Sequence, residues 1–416
     1  MAEMKDSGIE WIGDIPQNWK LKRIQFCLDE INEKNIPIKT EQVLSLVKDK
    51  GVMLYEDKGN QGNKAKEDVS QYKIAYPNTL IVNSMNILIG SVGVSPVYYV
   101  FKENEDSDLR YINYIFNTRE FQKELRKYAN GILEIRLRVS SSDIFKRKIP
   151  FPDKHIQTKI ANFLDKKCAE IDALHTDIKK QIETLEEYKK SIIAEAVTKG
   201  LDPDVEMKDS DIEWIGMIPK DWSTIRIGHV FSLRNERNSL PEDQVQLLSL
   251  YTGIGVFPQG EHVTASGNHA QTVDGYKIVH KNDIVVNIIL AWMGAIGVSD
   301  YDGVTSPAYD IYIPDLSKVV PHYFHYVFRT AGIAGECYKY GRGIMMMRWR
   351  TYSQEFKQIF VPFPSLEKQQ EIAEYLDKKC AEIDGAIEEK KEQLETLEQY
   401  KKSLIYEYVT GKKEVK

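Results

Sequence analysis

The sequence predicts an α+β protein in which two α/β globular parts are joined by two long helices forming an antiparallel coiled coil, a pseudo-twofold internal repeat. Three observations carry that prediction. The segment Met4-Lys5-Asp6-Ser7-Gly8-Ile9-Glu10-Trp11-Ile12-Gly13 returns, with a single change (Gly8 to Asp211), at Met207 to Gly216. The block Asp165-Lys166-Lys167-Cys168-Ala169-Glu170-Ile171-Asp172 returns unchanged at Asp377 to Asp384. Each copy of that block sits in a long segment with apolar residues three and four apart, the spacing of a helix with one buried stripe. A period of about 200 residues far exceeds the roughly 20–50 of a solenoid unit, so the chain is a duplicated two-part module. Four segments follow: residues 1–153 and 207–365 as globular domains, 154–206 and 366–416 as helical spacers.

Bulk properties narrow the class. A chain of 416 residues with 42% hydrophobic and 28% charged content is ordinary for a soluble globular protein of two to four domains. There is no signal-like apolar run, and Cys27, Cys168, Cys337 and Cys380 are scattered without a Cys-x-x-Cys. Reduced thiols in a cytoplasmic protein are the expectation. The net charge of −6 hides a local bias. Residues 110–148 hold ten Lys/Arg against four Asp/Glu, and residues 322–357 hold six against two. The acidic excess lies in the two helical segments. A solvated basic face explains one such bias, and its recurrence in both copies favours an anion-binding surface.

Along each half the elements follow in the same order. Trp19 pairs with Trp222 at an offset of 203, Asn83 with Asn287 at 204, and Gly131 with Gly343 at 212. Residues 72–83 and 276–287 place β-branched residues either side of a polar turn, which reads as strand, turn, strand. A helical piece is expected near 111–128 and near 323–334. From Leu133 to Val139 apolar residues alternate with Glu134, Arg136 and Arg138, and the second copy keeps Arg348 and Arg350 with Trp349 opposite. Two arginines on one strand face suit a phosphate or a guanine edge, and equally suit a solvent face with ion pairs. Pro150-Phe151-Pro152 and Pro362-Phe363-Pro364 then break the chain before the helices, expected at roughly 156–198 and 367–410. In the first, Ile160, Leu164, Ile171, Leu174, Ile178, Leu185, Tyr188 and Ile192 read as a heptad seam interrupted by Lys167 and Gln181. The second puts Lys390 where Ile178 stood. At 1.5 Å per residue each helix would span about 65 Å, and its narrow stripe calls for the other copy as partner.

Signs of catalysis are poor. Neither Gly-x-x-x-x-Gly-Lys-Ser/Thr nor Gly-x-Gly-x-x-Gly is present, and no Asn/Asp-Pro-Pro-Tyr/Phe loop occurs. His262, His269 and His280, and His322 with His325, cluster without Cys or carboxylates at metal-ligand spacing, so no metal site is expected.

The duplicated Trp-Ile-Gly-x-Ile-Pro opening, the divergent α+β part, the Pro-Phe-Pro break and the Leu-Asp-Lys-Lys-Cys-Ala-Glu-Ile-Asp helix together resemble the DNA-specificity subunit of Type I restriction-modification enzymes. Glu367-Lys368-Gln369-Gln370 resembles the opening of that family's helical region, from which Asp153-Lys154-His155-Ile156-Gln157 departs, leaving equal helix starts in question. The resemblance covers essentially the whole chain. It implies two target-recognition domains, each reading one half of a bipartite double-stranded DNA target. It also implies helices that set the spacing and dock two methyltransferase subunits, with restriction subunits in the same assembly. S-adenosylmethionine, ATP and Mg would belong to those partners, and this chain would be non-catalytic. Arg136, Arg138, Arg342, Arg348 and Arg350 are the candidate DNA-reading residues, with Lys146, Arg147 and Lys148 as phosphate contacts at a helix. Asn83 and Asn287 are candidates that equally suit turn positions. A non-catalytic coiled-coil scaffold for protein or carbohydrate partners is the alternative.

Overall fold

The computed structural model describes residues 3–47, 51–58, 68–84, 98–130, 137–260, 273–343 and 349–415. The chain forms two compact units: residues 1–178 with 391–416, and residues 179–390. The division falls inside both long helices, so each unit is a globular part packed on half of each helix.

In unit 1, the strands Met4–Asp6 and Asp14–Pro16 form a hairpin, and Lys20–Arg23 pairs antiparallel with Lys148–Phe151. A three-stranded antiparallel sheet runs in the order Leu28–Ile31, Tyr98–Glu103, Leu80–Asn83. Three short helices follow: α1 (Leu109–Phe116), α2 (Arg119–Arg126) and α3 (Ser141–Phe145). Each starts where a short polar side chain accepts from its first turn: Asp108 from Arg110 and Tyr111, Thr118 from Phe121, Ser140 from Asp143. The helical piece expected near 111–128 is therefore two helices, split at Asn117-Thr118. Tyr111, Ile112, Phe121 and Leu125 bury their faces against Ile160 and Leu164 of α4 (Lys154–Lys199) and against Leu404 and Val409 of the other long helix.

Unit 2 repeats the plan, with a four-stranded sheet among its described residues. Its sheet runs Phe231–Leu233, Tyr309–Pro314, Ile284–Asn287, Ile296–Val298, all antiparallel. The polar turn before Ile284 has Asn282 at φ 74°, as Asn78 has φ 60° in unit 1. This is the left-handed conformation that asparagine tolerates better than branched residues. Helices α5 (Pro321–Val327), α6 (Ala331–Tyr340) and α7 (Ser353–Phe356) precede α8 (Leu366–Val409).

The two long helices start 212 residues apart, at Lys154 and Leu366. The doubt over equal starts is therefore removed. The reason is one buried glutamine in each copy. Gln157 Nε2 donates to Pro152 O (2.8 Å) and Asp106 O (3.2 Å), while its Oε1 accepts from Asp108 N (3.0 Å). Gln369 makes the equivalent bonds to Pro364 O (3.0 Å), Lys318 O (3.1 Å) and Val320 N (2.8 Å). Both side chains are 0% exposed.

The seam differs from the heptad reading. Leu174 is 48% exposed and Tyr188 is 56% exposed. The inward positions on α4 are instead Ile160, Leu164, Cys168, Ile171, His175, Ile178, Ile182, Leu185, Lys189, Ile193 and Ala196. From Cys168 to Lys189 these advance in alternating steps of three and four, 21 residues in six steps, a heptad spacing in a register shifted from the expected one. A cysteine, a histidine and a lysine stem fill seam positions, which is why an apolar count drifts off the line. The helices run antiparallel within each unit. In unit 1 Lys401 Nζ meets the Asp172 carboxylate at 2.6 and 2.7 Å. In unit 2 Lys189 Nζ meets its mate Asp384 at 2.7 and 2.6 Å. Among the described residues no helix is long and apolar enough to cross a membrane.

Candidate nucleic-acid interface

Each unit presents one exposed arginine from the same local architecture. In unit 1 the backbones of Asn130 and Arg138 exchange two hydrogen bonds, both 2.8 Å. In unit 2 Arg342 and Arg350 exchange two at 2.9 Å. The two bridges are repeat mates at the same offset, 342 − 130 = 350 − 138 = 212. The residue after each bridge turns inward. Val139 is buried and its N–H donates to Ser84 O at 3.0 Å. Thr351 is buried, its N–H donates to Ile288 O at 2.9 Å, and its hydroxyl donates to Cys337 O at 2.8 Å. Extended backbone alternates its side chains, so anchoring 139 and 351 inward sends Arg138 and Arg350 outward, where both are exposed.

Around Arg350 the surface is basic and aromatic. The Arg342 side chain is largely exposed and its Nη2 lies 2.5 Å from Glu355 Oε1. Tyr338, Tyr340 and Tyr352 are exposed. In unit 1 the corresponding face carries the exposed Lys123 and Arg126 of α2 and Tyr128 just after it. An exposed guanidinium on a pinned backbone can donate two parallel N–H bonds to a phosphate or to the O6/N7 edge of guanine. Both units are built to supply one.

The remaining candidates are placed differently. Arg136 and Arg348 lie outside the described residues, so the paired-arginine face is represented by Arg138 and Arg350. Lys146 is exposed but stands at the C-terminal cap of α3, 3.7 Å from Asp143, where the helix dipole disfavours an anion. Arg147 is committed within its domain: its Nε donates to Asp143 O (3.1 Å), Glu124 is 3.8 Å away, and its guanidinium lies 3.5 Å from the Tyr128 ring centre. It is a poor phosphate contact because donors used inside the fold are not offered outside it. Lys148 is exposed on the strand pairing with Lys20–Arg23. Asn83 is buried with its Nδ2 3.4 Å from the Tyr98 hydroxyl. Asn287 Oδ1 accepts from Ile289 N (3.0 Å) and Leu290 N (3.3 Å). Asn287 thus makes the backbone contacts of the turn role that was its other reading, whereas Asn83 meets a side chain.

Two sets of residues escaped the sequence reading. His325, grouped there with His322, is a half-buried residue of α5, its Nε2 2.7 Å from Arg329 Nη1. Burial, and secondarily the Arg329 cation, push its pKa down to about 3. The mates of this pair in unit 1 are Asn113 and Asn117. The second set ties the globular parts to the helices: Tyr114 donates to Asp165 at 2.8 Å and its mate Tyr326 to Asp377 at 2.7 Å. Tyr111 donates to Val409 O at 2.8 Å, and Tyr323 to Val197 O at 3.1 Å. Identity at offset 212 was the available signal. Among the described residues no group of three or more His, Cys, Asp or Glu is placed to hold a metal ion.

Comparison with known proteins gives consistent matches. Residues 219–396 match the family model of the Type I restriction modification DNA specificity domain. A putative type I restriction enzyme MjaX specificity subunit from Methanocaldococcus jannaschii is 26% identical over 440 residues, covering 97% of this chain and 96% of that protein. The MjaVIII specificity subunit of the same organism is 26% identical, over 80% of this chain and 77% of its own. Among solved structures, the HsdS subunit from Thermoanaerobacter tengcongensis has a TM-score of 0.54 at 13% identity, covering 95% of this chain and 98% of its own. A chain solved in work on complex assembly and conformational transition of the type I R-M system reaches 0.66 at 12% identity, with the same coverages of 95% and 98%. Those two likenesses establish the fold.

Proposed function

We propose that this chain is a member of the type I restriction-modification DNA-specificity family, which it resembles over residues 219–396 and in its specificity-subunit relatives, and that it is the subunit that selects the target sequence. The observation that carries the reading is the repeated bridge: two divergent globular parts keep one device, and it presents Arg138 in one and Arg350 in the other. Each globular part is a target-recognition domain, and each reads one half of a bipartite double-stranded target. Phosphate contacts position the domain, and a few side chains read base edges in the major groove.

The finer architecture we infer is two such domains joined by an antiparallel coiled coil. The long helices set the unspecified gap between half-sites and dock the methyltransferase subunits, with restriction subunits in the same complex. Like-built halves with unlike surfaces suit an asymmetric, two-part target. S-adenosylmethionine, ATP and Mg belong to the partner subunits, and the chain works in the cytoplasm without catalysing a reaction itself.

Methylome sequencing of the host with and without this gene tests the reading. The expected result is adenine methylation at a split motif that vanishes on deletion. Methylation unchanged by deletion, or DNA binding by the full chain with no salt dependence, would overturn it.

A further inference from the structure

We propose that Trp349 is the positioning residue of the unit 2 reading edge: it holds Arg350 in place without itself touching DNA. The inference rests on the reading that Arg350 contacts the target. The indole is held on three sides. Its ring stacks on Tyr338, centroids 5.2 Å apart and planes 23° apart. Its Nε1–H donates to Tyr338 O at 2.9 Å, a carbonyl of the last turn of α6 that also accepts from the Gly341 N–H at 3.2 Å. Its third wall is Gly341, where an added Cβ would stand 2.2 Å from the indole Nε1 and 2.9 Å from Cys337 O. Only glycine lets the ring close there.

Arg350 therefore sits between two pinned neighbours. Trp349 is tied to the end of α6, and Thr351 is buried with its N–H on Ile288 O and its hydroxyl on Cys337 O. The bridge to Arg342 fixes the backbone between them. An arginine on so constrained a backbone loses little further freedom on binding, which raises affinity and keeps the guanidinium in one orientation.

The lock is particular to unit 2. The mates of Trp349, Tyr338 and Gly341 in unit 1 are Leu137, Arg126 and Ala129. There the strand end is held by the Tyr99 hydroxyl donating to Val139 O at 3.2 Å. Trp349 also lies outside the hydrophobic core of unit 2, so its replacement is not a core deletion.

The test uses the full chain assembled with its partner subunits. The probes are duplexes carrying the motif found methylated in the host, with single-base changes in one half-site at a time. Trp349→Leu, which installs the residue of unit 1, is expected to lower discrimination about tenfold in the half-site read by unit 2 and leave the other unchanged. Gly341→Ala should produce the same loss by displacing the indole, and Trp349→Phe, which keeps a ring but not the N–H, a smaller one. In an Arg350→Ala background none of these changes should add anything, because they act through that arginine. Full additivity there, or undiminished discrimination in both Trp349→Leu and Trp349→Phe, would overturn the positioning role. Arg350→Ala without effect on either half-site would instead overturn the reading on which it rests. Unchanged thermal midpoints would separate a loosened edge from a misfolded domain.

Discussion

Replacing Gln369 by alanine should destabilise unit 2 by about 2–4 kcal/mol. The side chain is fully buried and satisfies three backbone groups: the carbonyls of Pro364 and Lys318 and the N–H of Val320. Truncation leaves all three without that partner, at roughly 1–3 kcal/mol each when nothing replaces the bond. A cavity of that polarity admits water, which recovers part of the loss, and the remainder is the figure given. Urea unfolding of the full chain, followed for unit 2, reads the change as a shift in midpoint at constant slope. Two further variants separate causes. Gln369→Met keeps the volume and loses the bonds, so it should fall nearly as far as alanine. Gln369→Glu sets a carboxylate against two carbonyl oxygens, which raises its folded-state pKa. Its penalty should therefore be largest at neutral pH and shrink as the pH falls toward the ordinary glutamate value near ~4.3. Gln157→Ala should cost unit 1 a similar amount, since its bonds are the same three. A loss below about 0.5 kcal/mol in both alanine variants would refute the idea that this glutamine sets each helix start.

Other outcomes follow from the same structure. Arg350→Ala should cost about 1–3 kcal/mol of discrimination in one half-site and Arg138→Ala a similar amount in the other, measured by competition binding with half-site variants; equal loss at both sites from either change would exclude separate readers. His325, with its folded pKa near 3 against about 6.5 unfolded, binds its proton only in the unfolded chain between those values, so unit 2 should lose about 2 kcal/mol between pH 7 and pH 5. His325→Asn, the residue of unit 1, should remove that share of the slope, and an identical pH profile for the variant would show that the histidine is not its source. Lys189→Ala and Lys401→Ala should each cost under about 1 kcal/mol, because their aspartate partners are exposed; thermal midpoints more than a few degrees lower would mean the ion pairs do more than mark register.

Much of the frame was legible in the chain. The repeated blocks located both long helices, and the Pro-Phe-Pro breaks marked their starts to within about two residues. Polar turns at Asn78 and Asn282 were recognisable because few other residues take a left-handed backbone cheaply. Legibility failed where a position depends on neighbours distant in sequence. Leu174 and Tyr188 looked like seam residues by composition, yet Cys168, His175 and the stem of Lys189 hold the line they were assigned to. Arg147 looked like a free cation until Tyr128, Glu124 and Asp143 were brought around it. Gln157 looked like a departure from its copy, because matching flanks, not its geometry, were being compared.

From sequence alone came the duplication, the α+β class, the two helices, the family resemblance and a set of candidate cations that included Arg136, Arg138, Arg342, Arg348 and Arg350. Those features are periodic or repeated, and repetition survives without coordinates. Only the tertiary structure decided which arginines are pinned and outward, which are used up inside, and where each unit divides the helices. It also decided that Trp349 closes on Gly341 and that His325 packs against a cation. The physical reason is that burial and hydrogen-bond satisfaction are properties of a site, set by groups hundreds of residues apart in this chain, as Tyr111 and Val409 are at 298 and Ile12 and Lys412 at 400.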